Sequence, residues 1–129
     1  MTKTKMLNVA IKTAKGAGAI LMEHFGNISS YEHKSTAIDL LTIADTKSEA
    51  FIVNEIKTTF PDHHIIAEES AAVENNSDYR WVIDPLDGTT NFVHSLPIFA
   101  VSIGLQYKGE TIVGVVYNPS ADKCFWAEK

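Results

Sequence analysis

Two aspartates three positions apart, Asp84 and Asp87, are the groups in this sequence best placed to do chemistry. They lie in the run WVIDPLDGTTNF, Trp81 to Phe92. Trp81, Val82 and Ile83 are aromatic and β-branched with no helical period, which predicts a strand. Pro85 has no N–H and disfavours the α region at Asp84, which predicts that the strand stops there. Asp87-Gly88 is a second turn signal, and Thr89 and Thr90 can cap a following helix whose first N–H groups point outward. Two carboxylates would then share one tight turn and face a nest of N–H donors. Such a set suits a hard, oxygen-seeking cation beside a phosphate. Asp-Pro or Asp-Gly alone is an ordinary loop dipeptide, so the signal lies in the whole twelve-residue run.

That run resembles the metal-binding signature of the inositol monophosphatase family, the Mg-dependent, lithium-sensitive phosphomonoesterases. The family pattern is Trp-x-(Ile/Val)-Asp-Pro-(Ile/Leu)-Asp-Gly-Thr-x-Asn-Phe, and every position is matched. A second stretch, IIAEES from Ile65 to Ser70, resembles the family's glutamate element. The resemblance implies that Glu68, Asp84 and Asp87, with the Leu86 carbonyl, bind metal. It implies that Asp45 and Thr89 orient and deprotonate the attacking water, and that Asp87 with the N–H groups of Gly88 and Thr89 holds the substrate. Lys34 matches a family lysine near the site, with a solvated hairpin lysine as the equal alternative. The implied cofactor is Mg²⁺, about two or three ions, with Mn²⁺ as a substitute and Li⁺ as an inhibitor. The implied partners are a small phosphorylated polyol, inositol monophosphate first, and a second copy in a homodimer.

The chemistry agrees with the residues. A phosphate monoester resists hydrolysis because its anionic oxygens repel a nucleophile and its alkoxide leaves badly; paired divalent cations answer both difficulties. Mg²⁺ takes carboxylate, carbonyl and water oxygens and few protein ligands. His63, His64 and His94 lack zinc-ligand spacing. Only 15 residues separate Glu68 from Asp84, which favours a simple monophosphatase over family relatives with longer insertions there. A reading from a different class is a truncated, non-catalytic half-domain that binds metal or a protein partner.

The chain has 129 residues, enough for one domain, and a formal net charge of −5. With no Lys/Arg cluster, nucleic acid is disfavoured as a partner. Its single cysteine, Cys124, precludes an internal disulfide and reads as a small buried strand residue in a cytoplasmic protein. No apolar run reaches membrane-spanning length and no signal-peptide core is evident, so no membrane association is expected.

The elements that must position these residues follow from periodicity. Leu7, Ile11, Ala14, Gly18, Leu21 and Phe25 predict a helix from about Lys5 to Phe25, stopped by Gly26. Ser30 to His33 and Ile38 to Thr42 read as a hairpin. Asp45 and Thr46, with Glu49 completing a capping box, predict the start of a second helix that runs to Phe60 with Ser48, Ile52, Ile56 and Phe60 inside. Ile65 to Ala67 reads as a strand and Ser70 to Tyr79 as a loop. Ile98 to Tyr107 and Thr111 to Tyr117 predict a hairpin around Lys108-Gly109-Glu110, and Lys123 to Ala127 a last strand with apolar surface exposed beside it. The fold class is α+β: an antiparallel or mixed sheet with two long helices on one face. The family resemblance implies that residues 1–129 form one domain, the N-terminal metal-binding domain of the sugar-phosphatase fold. It also implies a second α/β domain whose Trp-Asp motif completes the metal site, and nothing in this sequence matches that domain.

Overall fold

The computed structural model describes residues 3–26, 34–67 and 71–129. Helix α1 spans Lys3–His24 and helix α2 spans Lys34–Thr59. Strands β1 (His64–Ile66), β2 (Ala71–Val73) and β3 (Tyr79–Asp87) follow, then the short helix α3 (Thr89–Val93) and strands β4 (Ala100–Tyr107), β5 (Glu110–Asn118) and β6 (Lys123–Glu128). One six-stranded sheet has the order β2-β1-β3-β4-β5-β6. β1 and β3 are parallel and every other neighbouring pair is antiparallel, so the sheet is mixed. Both long helices pack on one face, α1 mainly on β5 and β4 and α2 on β3. The expected fold class is the observed one.

The core lies between helices and sheet. Met6, Leu7, Ala10, Ala14, Ala17 and Leu21 recur at three- and four-residue spacing on α1, and Ala44, Ser48, Ile52, Ile56 and Phe60 do so on and just after α2. They meet Trp81 and Ile83 of β3, Val101, Ile103 and Leu105 of β4, and Val113, Val115 and Tyr117 of β5, the alternate residues of each strand. Gly16 and Gly18 let α1 approach closely: a Cβ would sit 2.5 Å from the Phe51 ring at Gly16 and 2.5 Å from the Tyr117 ring at Gly18. Gly26 (φ +76°) follows the end of α1 as expected. Lys108 and Gly109, at φ +51° and +83°, make the tight β4–β5 turn. Cys124 is half-buried in β6 and packs against the core.

Four local expectations are corrected. Ile38 to Thr42 is helical, because α2 begins at Lys34; the strand expected at Ser30–His33 lies outside the described residues. The β-branched run misled: Ile38 and Ile43 are exposed, while Leu41 and Ala44 continue the inward stripe of Ser48 and Ile52. The Thr42 hydroxyl donates to the Ile38 carbonyl (3.0 Å), a bond compatible with helix. Asp45 and Thr46 are therefore interior to α2 and do not cap it. Ala71–Val73, expected in a loop, pairs with β1 as an edge strand. β3 does not stop at Asp84 but continues to Asp87.

A clamp of aromatic rings fixes the start of β3. His63 is buried, stacked between Phe60 (4.7 Å between centroids) and Tyr79 (4.6 Å), and its Nδ1 accepts the Trp81 indole N–H at 2.9 Å. That bond needs Nδ1 unprotonated, and burial lowers the imidazole pKa from its ordinary 6.5, against the opposing pull of the Asp62 charge. The unfolded imidazole thus takes up a proton near pH 6.5 while the folded one still resists, so stability falls as pH drops through the region below 6.5. Melting curves between about pH 7 and pH 5.5 should show the loss, up to roughly 1.4 kcal/mol per pH unit. His63→Phe should flatten that slope; an unchanged slope would exclude His63 as its source.

Candidate metal and phosphate site

The site forms where β3 gives way to α3. Asp84 pairs with Ser102 and Asp87 with Ala100, so three steps along β3 oppose two along β4. This is a β-bulge with one extra residue. Ser102 and Ala100 are two apart on β4 and share a face. Their partners Asp84 and Asp87 therefore share it too, although three-residue spacing in a regular strand would place them on opposite faces. The extra residue also accounts for two adjacent buried side chains, Pro85 and Leu86, on the helix side. Pro85 is accommodated because a bulge leaves its missing N–H without a ladder duty.

Asp84 is half-buried, and its Oδ1 accepts the Leu86 N–H at 3.2 Å. Its pKa is raised by burial first, while the Leu86 hydrogen bond lowers it and the nearby charge of Asp87 raises it further. Asp87 is exposed. Gly88 follows in the left-handed region (φ +89°, ψ +42°) as the N-cap of α3, with no side-chain capping bond. The cap expected from Thr89 or Thr90 is therefore supplied by a glycine turn. The first helical bond runs from the Phe92 N–H to the Gly88 carbonyl (3.0 Å), so helix geometry leaves the N–H groups of Thr89, Thr90 and Asn91 outside the ladder. α3 has only five residues and contributes little dipole, so anion contact here would rest on individual N–H groups. It is held by Phe92, buried against Phe25 (5.7 Å) and Phe99 (5.1 Å), and by the Asn91 side-chain amide donating to the Ile98 carbonyl (2.8 Å).

Asp45 lies in α2, half-buried, one turn before Ser48. The fully buried Ser48 hydroxyl donates to the Pro85 carbonyl at 2.8 Å, tying that turn of α2 to the bulge between the aspartates. The sequence placed Ser48 on the inner face but not in this bond; a lone hydroxyl on an apolar stripe was the available signal. Ser48→Ala should cost about 1–3 kcal/mol by leaving the buried carbonyl unpaired. Thermal melting checks this; an unchanged midpoint would show that the bond contributes nothing.

Glu68 lies outside the described residues, as does Glu69. β1 runs parallel to β3 with Ile66 level with Val82, so both strands head toward the same end of the sheet. Lys34 opens α2 and is not a hairpin residue. Among the described residues no three His, Cys, Asp or Glu side chains gather closely enough to hold a metal ion, and no helix is long and apolar enough to cross a membrane.

A mixed sheet backed by two helices carries two carboxylates on a bulge before a glycine turn, and comparison gives the family of this domain. Residues 2–129 match the inositol monophosphatase family, and the chain belongs to it. It is 48% identical over 125 residues to the Nus factor SuhB of Pasteurella multocida, covering 95% of this chain and 46% of that protein. It is 46% identical over 125 residues to inositol monophosphatase 3 of Solanum lycopersicum, covering 94% and 46%. The crystal structure of the extragenic suppressor protein suhB from Bartonella henselae superposes with a TM-score of 0.84 at 38% identity, covering 96% of this chain and 48% of that one. The chain thus spans about half the length of the relatives it matches.

Proposed function

We propose that residues 1–129 form the metal-binding half of a Mg-dependent phosphomonoesterase whose substrate is a small phosphorylated polyol, inositol monophosphate first. The observation that carries this reading is the bulge: it turns Asp84 and Asp87 to one face, immediately before a glycine turn with free N–H groups. The donor set fits a hard divalent cation. Its members are oxygens, Asp84 keeps its Oδ2 beyond the oxygen held by Leu86, and the repulsion that Asp87 exerts on Asp84 is what a cation relieves.

In this reading Glu68, Asp84, Asp87 and the Leu86 carbonyl hold Mg²⁺. When bound, Mg²⁺ supplies charge neutralisation at the phosphate and a water of lowered pKa. Asp45 accepts a proton from the water that attacks phosphorus, and the Thr89 hydroxyl orients that water. The N–H groups of Gly88 and Thr89 bind the phosphate oxygens. Ser48 keeps the turn of α2 that carries Asp45 in register with the bulge. Cytoplasmic location and a homodimer belong to the same proposal.

The test is phosphate release from inositol monophosphate by purified 1–129, alone and mixed with the part of the Pasteurella multocida relative that it does not match, with and without Mg²⁺. Release that requires Mg²⁺ supports the proposal. Release that persists under chelation overturns the metal role. Absence of release in every mixture favours the reading as a non-catalytic half-domain.

A further inference from the structure

The segment between α3 and β4, residues 94–99, lies against the candidate site, and little in its own composition holds it there. Sheet pairing resumes only at Ala100, the partner of Asp87. Pro97 has no N–H to give a ladder. Leu96 and Ile98 are 49% and 67% exposed, so burial does not fix them. The backbone bonds are local: the Leu96 N–H donates to the Asn91 carbonyl and the Ile98 N–H to the Leu96 carbonyl, each at 2.8 Å. Yet the segment is packed on Gly88, where a Cβ would lie 2.9 Å from the Ile98 carbonyl oxygen and 3.2 Å from the Phe99 Cα. A shift of the Pro97–Ile98 backbone is therefore passed to the turn between Asp87 and Thr89.

Two successive carbonyls of this segment accept side-chain donors. The Ile98 carbonyl takes the Asn91 amide, from α3 itself, at 2.8 Å. The Pro97 carbonyl takes the Ser120 hydroxyl at 2.7 Å, from 23 positions away in the turn between β5 and β6. That turn is stiff. Asn118 Oδ1 accepts the N–H groups of Ser120 (3.1 Å) and Ala121 (3.3 Å). Ser120 Oγ also lies 2.8 Å from this oxygen, which already accepts two N–H groups, so the one hydroxyl proton goes to Pro97. Asp122, at φ +51°, accepts the Tyr117 hydroxyl at 2.8 Å. Burial first, then the Asp122 carboxylate, pushes the Tyr117 hydroxyl up to about 12, so it stays a donor at neutral pH. The Tyr117 ring is buried against α1, where a Cβ at Gly18 would lie 2.5 Å from it.

We infer that Ser120 is a positioning residue for the Asp87–Thr89 turn, acting through the Pro97 carbonyl. The line of contact runs from α1 through Tyr117 and the β5–β6 turn to Ser120, Pro97, Ile98 and Gly88. It ties the turn that carries Asp87 and Thr89 to the core, although the segment packed on that turn is mostly exposed. Asp87 is itself exposed, so its direction follows its backbone. Ser48 holds the Pro85 carbonyl before the turn, and Ser120 holds the Pro97 carbonyl after it. The inference rests on the proposed roles of Asp87 and Thr89 in metal binding and water activation. The mechanical coupling of Ser120 to Gly88 rests on the hydrogen bonds and close contacts alone.

The test compares purified 1–129 with Ser120→Ala, Ser120→Thr and Tyr117→Phe by amide NMR spectra and by calorimetric titration with Mg²⁺. Ser120→Ala should move the Gly88 and Thr89 amide resonances while those of Trp81 and Leu105 stay in place. Its Mg²⁺ affinity should fall roughly 3- to 10-fold, the scale of one hydrogen bond, with the melting temperature close to that of the parent. Ser120→Thr keeps the hydroxyl and should restore both readings, which a general loss of structure would not allow. Tyr117→Phe loosens the turn without touching Ser120 and should give the same changes in smaller measure. Unmoved Gly88 and Thr89 amides in Ser120→Ala overturn the inference, as does a loss that Ser120→Thr fails to restore. Equal Mg²⁺ affinity in the parent and Ser120→Ala overturns the inference alone and leaves the metal site standing. A parent that binds no Mg²⁺ overturns the metal reading, and the inference falls with it.

Discussion

Trp81→Ala is expected to cost the domain roughly 3–5 kcal/mol, the usual range for emptying a buried indole site. Trp81 is fully buried near the start of β3, its ring stacks near Phe60 (5.8 Å), and its N–H is the partner of His63. The substitution therefore opens a cavity and leaves the buried His63 Nδ1 without its donor, two penalties that act together. Against a total stability of about 5–15 kcal/mol, the variant sits near the edge of folding. Differential scanning calorimetry should show a melting point lowered by roughly 10–20 °C, or no transition. Trp81→Phe, which keeps most of the volume, should fall between. A loss under about 1 kcal/mol for Trp81→Ala would contradict the placement of this ring in the core.

Gly88→Val is the second substitution with a large expected effect, and it links stability to the site. Gly88 needs to be glycine for two independent reasons. Its φ of +89° is a region that β-branched residues avoid, and a Cβ there would lie 2.9 Å from the Ile98 carbonyl oxygen and 3.2 Å from the Phe99 Cα, both backbone atoms. Strain of this kind costs about 1–3 kcal/mol before the steric conflict is added. The chain relieves it by moving the turn between Asp87 and Thr89, which is where the proposed ligands and N–H donors lie. The expected result is a lowered melting point together with lost Mg²⁺ binding, even below the melting transition. Normal metal binding by a destabilised Gly88→Val variant would show that the turn does not set the carboxylate geometry.

What was legible in the sequence, and what was not, follows from range. Helix α1 and the β4–β5 hairpin were legible because their signals are local: a stripe from Leu7 to Leu21 in one case, a Lys-Gly turn between alternating strands in the other. The start of α2 was misread because Ile38, Thr42 and Ile43 carry β-branched propensity on the exposed side, while the deciding contacts, Leu41 and Ala44 inward, are tertiary. At the site, the residue types and the turn were legible, but the reason Asp84 and Asp87 share a face was not. It lies in one extra residue against β4, which no window on β3 alone reveals. Ser48 and His63 acquire their roles only through partners 37 and 18 positions away.

The central claim is that the bulged Asp84–Asp87 turn is a divalent-metal site, and calorimetric titration of purified 1–129 with Mg²⁺, then Mn²⁺, tests it most directly. The account predicts saturable binding by the parent chain that Asp87→Asn and Asp84→Asn each weaken by roughly 10-fold or more while the melting temperature stays close to that of the parent. Equal Mg²⁺ affinity in the parent and in both variants would contradict it.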